Sequence, residues 1–187
     1  FVGSEREPDD LCALLGTTRL QTLTGAGRAG TTRRAGELAH RAELAGDGVM
    51  WVDLAAVEEP GQLLPALALA IGAADRAGLP PFQAICDAIG ARPVFLVLDN
   101  CDHLVDAGAG LAEGLLTRTP HLTIIAASRE ALGVPGEVAW LVPPLTHAES
   151  TALFEERARA VLPSFSLQSI HQPAVDQICR RLDGLPL

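Results

Sequence analysis

Lysine is missing altogether, so the fourteen basic side chains are all arginine. The loss is global and fits the arginine and alanine bias of a GC-rich source. It also excludes any complete lysine-bearing phosphate loop. Aromatic residues make up only 4% of the chain, so Ala, Leu, Val and Gly must fill the core. Positive charge is outweighed: the net charge is −9, which argues against direct, non-specific binding of nucleic acid, because that needs a basic surface. The cysteines Cys12, Cys86, Cys101 and Cys179 form no C-x-x-C pair. Zinc and thioredoxin-like readings are thereby weakened, and free, mostly buried thiols in a reducing cytosol are expected. No apolar run reaches the roughly 18 residues of a membrane span, and no signal-peptide pattern is visible, so a cytoplasmic location is expected.

What is present is ample apolar material, 48% of the residues, and a length that suits one domain or one domain with a fragment of another. Both ends, Phe1 and the apolar Gly184-Leu185-Pro186-Leu187, are expected to be cut from something longer. After a turn-like lead-in, Pro8-Asp9-Asp10 suits a helix start, with an apolar face at Leu11, Leu14 and Leu15 and a stop at Gly16. A strand spans Leu20 to Thr24, and a helix runs from about Thr31 to Leu44 with Gly36 inside it at a cost of about 1 kcal/mol. The second strand is Val49 to Val52, ending at Asp53. Helices follow over about Gly61 to Ile71 and Pro81 to Ile89.

Val94-Phe95-Leu96-Val97-Leu98, closed by Asp99, is a run of apolar, partly β-branched residues and reads as a fully buried parallel strand. A helix through Leu104 to Leu116 has Gly108 and Gly110 as breaks. Leu122 to Ala127 is the fourth strand and Val138 to Val142 the fifth. After Pro143-Pro144 come two helices, Glu149 to Val161 and Pro173 to Leu182, with no strand between them. The strand–helix alternation predicts a parallel α/β sheet over residues 1–143, and residues 144–187 the beginning of a helical domain.

The chain is organised around Thr24-Gly25-Ala26-Gly27-Arg28-Ala29-Gly30-Thr31-Thr32. A strand, a glycine-rich turn and a helix start aim free N–H groups and the positive end of the helix dipole at an anion. The pattern G-x-x-x-x-G-K-[ST] fits except for its lysine, which here is Thr31. Gly25-x-Gly27-x-x-Gly30 also satisfies the dinucleotide fingerprint, with Asp53 near the place of a ribose-binding acid. On these residues alone the dinucleotide reading leads, and a purely structural turn stays open. Downstream, the apolar strand ending in Asp99 shifts the balance: in a phosphate-loop protein such an acid holds magnesium beside the hydroxyl of Thr32. Asp99 as a simple cap of the helix beginning at Cys101 is the alternative.

Five motifs then occur in order: Phe1-Val2-Gly3-x-Glu5-Arg6-Glu7; Thr22-Leu23-Thr24-Gly25-x-Gly27; Leu98-Asp99-Asn100-Cys101-Asp102-His103-Leu104; Ser128-Arg129-Glu130-Ala131-Leu132-Gly133-Val134-Pro135-Gly136-Glu137; and Leu182-Asp183-Gly184-Leu185-Pro186-Leu187. Together they resemble the nucleotide-binding module of STAND-class NTPases, of the NB-ARC and NACHT-like kind, and most of all that of large bacterial LuxR- and SARP-type transcriptional regulators.

The resemblance implies a five-stranded parallel P-loop NTPase sheet of ASCE/AAA+ type and an ATP- or ADP-dependent regulatory switch. It implies that Val2 and Gly3 lie near the adenine, that Gly25, Ala26, Gly27, Arg28, Ala29, Gly30, Thr31 and Arg33 wrap the phosphates, and that Thr32 and Asp99 hold Mg²⁺. Asp102 would polarise the attacking water, Arg129 would sense the γ-phosphate, and Pro186 would pack on the nucleotide. The implied partners are the nucleotide, other domains of a longer chain and a homo-oligomer on activation, with no membrane and no nucleic acid held by this part.

The chain departs from that pattern at Thr31, Ser4, Ala26, Arg28, Arg34 and Gly36. A charge-assisted hydrogen bond contributes about 1.5–3 kcal/mol, so losing the lysine weakens phosphate binding roughly 10- to 150-fold. Hydrolysis suffers more, because charge builds between the β- and γ-phosphates in the transition state. Weak binding with poor hydrolysis is therefore expected. An active ATPase using Arg28, Arg33 or Arg34 instead, and a scaffold that binds no nucleotide, are the alternatives. Arg34 is expected to be a snorkelling surface residue. His103 and His121 are expected to be structural, as are Glu130 and Glu137, which support the Arg129 loop or lie on the surface.

Overall fold

The computed structural model describes residues 18–25, 30–73, 78–168 and 170–186. Val2, Gly3, Ser4, Cys12, the helix expected near Pro8 to Leu15, and Ala26, Gly27, Arg28 and Ala29 lie outside the described residues. In chain order the elements are β1 (Leu20–Thr24), α1 (Thr31–Leu44), β2 (Gly48–Asp53), α2 (Leu63–Ala70), α3 (Pro81–Ile89), β3 (Val94–Asp99), α4 (Val105–Arg118), β4 (Leu122–Ser128), β5 (Val138–Leu141), α5 (His147–Val161) and α6 (Gln172–Arg181). Short 3-10 turns at Pro60–Gln62 and Cys101–His103 lead into α2 and α4.

The five strands form one parallel sheet in the order β2-β3-β4-β1-β5. All six residues of β3 are buried, as its unbroken apolar run requires for a strand covered on both faces. Its side chains alternate between two cores. Leu96 and Leu98 join Leu20, Ile124 and Ala126 under α2, α3 and α4, where Leu63, Leu67, Ile85, Ile89, Leu111 and Leu115 complete the layer. Phe95 and Val97 join Leu23 and Ile125 under α1, which presents Ala35, Leu38, Ala39 and Ala42. Each large aliphatic side chain buried this way contributes about 1.5–3 kcal/mol, and the small residues of α1 let the helix sit close to the sheet.

Three local expectations need correction. Gly108 and Gly110 do not break α4, which is continuous; Gly108 is a packing residue, since a β-carbon there would touch the Leu132 side chain at 3.6 Å. The helix expected from Gly61 starts as a 3-10 turn and becomes α-helical only at Leu63. Arg34 is not a surface arginine: its side chain is only 11% exposed, and its Nη1 meets Glu37 Oε2 at 3.5 Å, one helical turn away. Cys86, Cys101 and Cys179 are free and buried. Among the described residues no helix is long and apolar enough to cross a membrane.

Past the sheet, α5 and α6 pack on each other. Thr146 opens α5 with a capping box in which its hydroxyl accepts from the Glu149 N–H and its own N–H donates to the Glu149 carboxylate. The segment after α6 returns to the start of α5: the Leu145 N–H donates to the Gly184 carbonyl at 2.8 Å. Gly184 has φ +73°, and a β-carbon on it would lie 2.4 Å from the Leu145 carbonyl oxygen. Only glycine can hold this close approach.

Candidate functional site

Strands β3, β4 and β1 are neighbours and end at the same edge of the sheet. Asp99, Ser128 with Arg129, and Gly25 therefore emerge side by side. Open parallel sheets bind ligands outside such carboxyl ends. Here they floor a cleft of about 590 Å³ bordered by Gly25, Gly30, Thr31, Thr32, Arg33, Asp99, Asn100, Asp102, Arg129, Glu156, Arg157 and Pro186. That volume is within the range of small-ligand sites.

One wall is the start of α1. Gly30 is its N-cap, at φ 94° and ψ 18°, with no side-chain cap, and the Arg34 N–H donates back to the Gly30 carbonyl at 2.9 Å. The N–H groups of Thr31, Thr32 and Arg33 precede the first intrahelical bond, so the helix supplies them no acceptor. No acid stands in the first turn of α1 to compete for its positive end. The floor is Asp99, 3% exposed. Its Oδ1 accepts from the Thr32 hydroxyl at 2.9 Å and from the Asn100 N–H at 3.0 Å. Burial raises its pKa above the ordinary carboxylate value, opposed by these two hydrogen bonds. The capping alternative for Asp99 is not what forms: the 3-10 turn at Cys101 has Asn100 as its N-cap and no side-chain cap.

The opposite wall is Arg129. Its N–H donates to Asp102 Oδ1 at 2.6 Å, and its Nε faces Asp102 Oδ2 at 3.3 Å. Asp102 therefore positions the loop after β4. Glu137 holds the same loop from behind, accepting from the N–H groups of Leu132 and Gly133 at 2.8 and 2.7 Å. His103 is structural, its Nε2 bonded to the Val57 carbonyl. The roof comes from beyond the sheet. The Pro186 ring lies 3.6 Å from where a β-carbon on Gly30 would be, and α5 contributes Glu156 and Arg157.

The cleft thus brings together Gly25, Gly30, Thr31, Thr32, Arg33, Asp99, Asp102, Arg129 and Pro186 from widely separated parts of the sequence. Arg34 points away, to Glu37. Asp53 does not border the cleft either: it accepts from the Ala55 N–H at 2.9 Å and from Asn100 Nδ2 at 2.8 Å, which lower its pKa. The strand order explains this. A dinucleotide fold places β2 beside β1, whereas here β3 and β4 stand between them, so Asp53 cannot reach a ribose held at the glycine turn. Glu156 and Arg157 were not identified from sequence, because their arrival at the cleft depends on α5 folding back over it.

No protein-family model matches the chain. It is 44% identical over 176 residues to a Mycobacterium tuberculosis protein named "Putative HTH-type transcriptional regulator Rv0890c", covering 94% of this chain and 20% of that one. It is 38% identical over 192 residues to the uncharacterized protein Rv0894 of the same organism, covering 100% of this chain and 48% of the relative. The chain thus spans a fifth to a half of these curated relatives. Among solved structures, it matches the Signal Transduction ATPase with Numerous Domains (STAND) protein PH0952 of Pyrococcus horikoshii, with a tetratricopeptide repeat sensor. The TM-score is 0.62 at 18% identity, over 100% of this chain and 28% of that one. It also matches the Aeropyrum pernix ORC2 protein, solved as ADPNP-ADP complexes, with a TM-score of 0.59 at 12% identity over 82% and 51% of the two chains. The five-stranded parallel sheet flanked by helices is thus a fold that the chain shares with these solved structures.

Proposed function

We propose that this chain is the nucleotide-binding switch module of a STAND-type transcriptional regulator, of NB-ARC kind and LuxR or SARP affinity. It would bind ATP or ADP with reduced affinity and hydrolyse ATP poorly. The observation that carries this reading is the Thr32 hydroxyl 2.9 Å from Asp99 Oδ1 at the mouth of the glycine turn, with Arg129 and Pro186 on the same cleft. The adenine is assigned by resemblance and by the nucleotides named with the ORC2 relative in fold. Residues 1–143 would be the nucleotide domain, residues 144–187 the start of a helical domain, and the rest of a longer chain would carry the sensor and output parts.

The donors at the cleft fit magnesium. Thr32 and Asp99 offer hard oxygen atoms, and Mg²⁺ takes few protein ligands, keeping water and phosphate oxygens for the rest. Among the described residues no group of three or more His, Cys, Asp or Glu side chains could cage a metal, so the pair would act with the nucleotide. When bound, the ion would neutralise phosphate charge. The chain's own work is to orient the polyphosphate with the α1 N–H groups, to offer Arg33 and Arg129 as cations, and to close the cleft with Pro186. Thr31 cannot supply the point charge at the β–γ bridge, and a positioned cation there is what hydrolysis needs.

A thermal-shift titration with ADP, ATP and Mg²⁺, run beside Thr31→Lys, tests this. The chain should be stabilised weakly by nucleotide, and the variant much more strongly. No stabilisation of either protein would overturn the reading, and phosphate release at an ordinary ATPase rate would overturn its claim of poor hydrolysis. Arg33 borders the cleft and Arg34 does not, so an active ATPase with a relocated arginine would have to use Arg33 or Arg28, and turnover abolished in either variant would identify it.

A further inference from the structure

We infer that Arg157 supplies, from the helical pair, a positive charge for a polyphosphate held at the start of α1, the charge that position 31 lacks. This rests on the cleft being a nucleotide site and adds a residue that the sequence resemblance did not assign.

Among the described residues, three that bear a guanidinium border the cleft: Arg33, Arg129 and Arg157. Arg129 is engaged by Asp102 through both its N–H and its Nε. Arg33 has an interaction of its own. Arg157 forms no hydrogen bond or ion pair with the described residues. The contrast with its neighbour on α5 is direct: Arg159, two positions on, is tied to Glu155 and to the Phe165 carbonyl. Arg157 also borders a small apolar recess formed by Leu145, Leu153, Phe154, Cys179 and Leu182. Arg157 is exposed between this recess and the cleft; an arginine so placed can lay its methylene stem on apolar surface while its charged head stays in water.

The backbone brings the helical pair to the side of the cleft where α1 begins. Leu145 at the foot of α5 is bonded to Gly184, and Pro186, two residues further, covers Gly30. The helical pair is therefore registered on the residue that precedes Thr31. Among the described residues, Asp99, Asp102 and Glu156 border the cleft together with Arg33, Arg129 and Arg157. Glu156 adjoins Arg157 and opposes anion binding, yet no salt bridge joins the two, so the guanidinium is not committed to its neighbour. A triphosphate with Mg²⁺ brings net negative charge to a place where Arg157 has no bonded acceptor among the described residues. Arginine suits the task because its planar fork meets two phosphate oxygens at once.

Binding of fluorescent ADP and ATP and of inorganic triphosphate, each with Mg²⁺, tests the proposal in the wild type, Arg157→Ala, Arg157→Gln, Arg159→Ala, Thr31→Lys and the Thr31→Lys/Arg157→Ala double variant. Arg157→Ala and Arg157→Gln should each weaken all three ligands at least tenfold, the loss expected of one charge-assisted contact. Arg159→Ala should bind like the wild type. Thr31→Lys should gain more in the Arg157→Ala background than alone, since one cation replaces the other. Melting of the ligand-free variants reports that the fold is kept. Wild-type affinity in both Arg157 variants would overturn the role of Arg157 while leaving nucleotide binding standing. An equal gain from Thr31→Lys in both backgrounds would overturn the substitution of one charge for the other. No binding of any of the three ligands by the wild type would overturn this proposal and the nucleotide reading together.

Discussion

Asp102 holds Arg129 at two points, its Oδ1 accepting the backbone N–H at 2.6 Å and its Oδ2 facing Nε at 3.3 Å. A γ-phosphate arriving at the cleft would have to compete with that carboxylate for the guanidinium. The Arg129 side chain is 65% exposed and that of Asp102 32%, so the ion pair lies in the weak range of about 0.2–1 kcal/mol. Asp102→Asn keeps an acceptor for the N–H and removes the competing charge. The ratio of ATP to ADP affinity should then rise by up to about fivefold. Paired calorimetric titrations check this, and a ratio that falls would show that Asp102 assists phosphate recognition.

Asp99 is buried where a charge is poorly solvated, and its pKa is raised accordingly. Asp99→Asn retains an acceptor for Thr32 and for the Asn100 N–H while discarding the buried charge. Ligand-free stability should stay level or rise by about 1 kcal/mol. The part of nucleotide stabilisation that depends on Mg²⁺ should vanish. Thermal melts with and without EDTA separate the two effects.

The close approach of Gly184 to Leu145 sets a third expectation. Gly184→Ala puts a side chain at φ +73° and a methyl group 2.4 Å from a carbonyl oxygen. The cost should exceed about 1 kcal/mol. The segment carrying Pro186 would be pushed from Gly30, so nucleotide binding should weaken even where the variant remains folded. Urea denaturation followed by a binding titration measures both.

Cys101 is fully buried, its thiol donates to the Leu98 carbonyl at 3.2 Å, and burial pushes its pKa up to about 12. In the unfolded chain the thiol ionises near its ordinary value of 9.0. Since the folded value is the higher one, its contribution to stability is complete below pH 9.0 and is lost as the pH rises toward about 12. The chain should therefore lose stability in that window, and Cys101→Ala should lose less. Cys101 should also resist alkylation at pH 8 until the protein unfolds, which mass spectrometry of iodoacetamide-treated samples reads directly.

Much of this architecture can be read from local pattern. The apolar run Val94 to Leu98 could only be a covered strand, and α1 begins where the residues after Gly30 first permit a helix. Strand order was not local. Nothing near Asp53 says that two strands will separate β2 from β1, and for that reason the glycine fingerprint pointed as readily to a dinucleotide. Burial of Arg34 was also misjudged, although Glu37, one turn on, was a visible partner. Gly108 resembled a break because propensity cannot see a neighbouring Leu132. Asp99 and Arg129 were legible, since one ends β3 and the other directly follows β4. Of the roof of the cleft, Pro186 was legible and Arg157 was not, because the arrival of α5 at the cleft depends on packing distant in sequence.

Strand β1 lies between β4 and β5, paired with residues more than a hundred positions later in the chain. On a ribosome, Leu20–Thr24 would leave the exit tunnel long before either neighbour exists, and the slot it fills stays open until Leu122–Leu141 have been made. Assembly of such a sheet is slow, because a long loop must close before its pairing is rewarded. The segment that carries the glycine turn would thus be synthesised before both of its neighbouring strands and secured only after them.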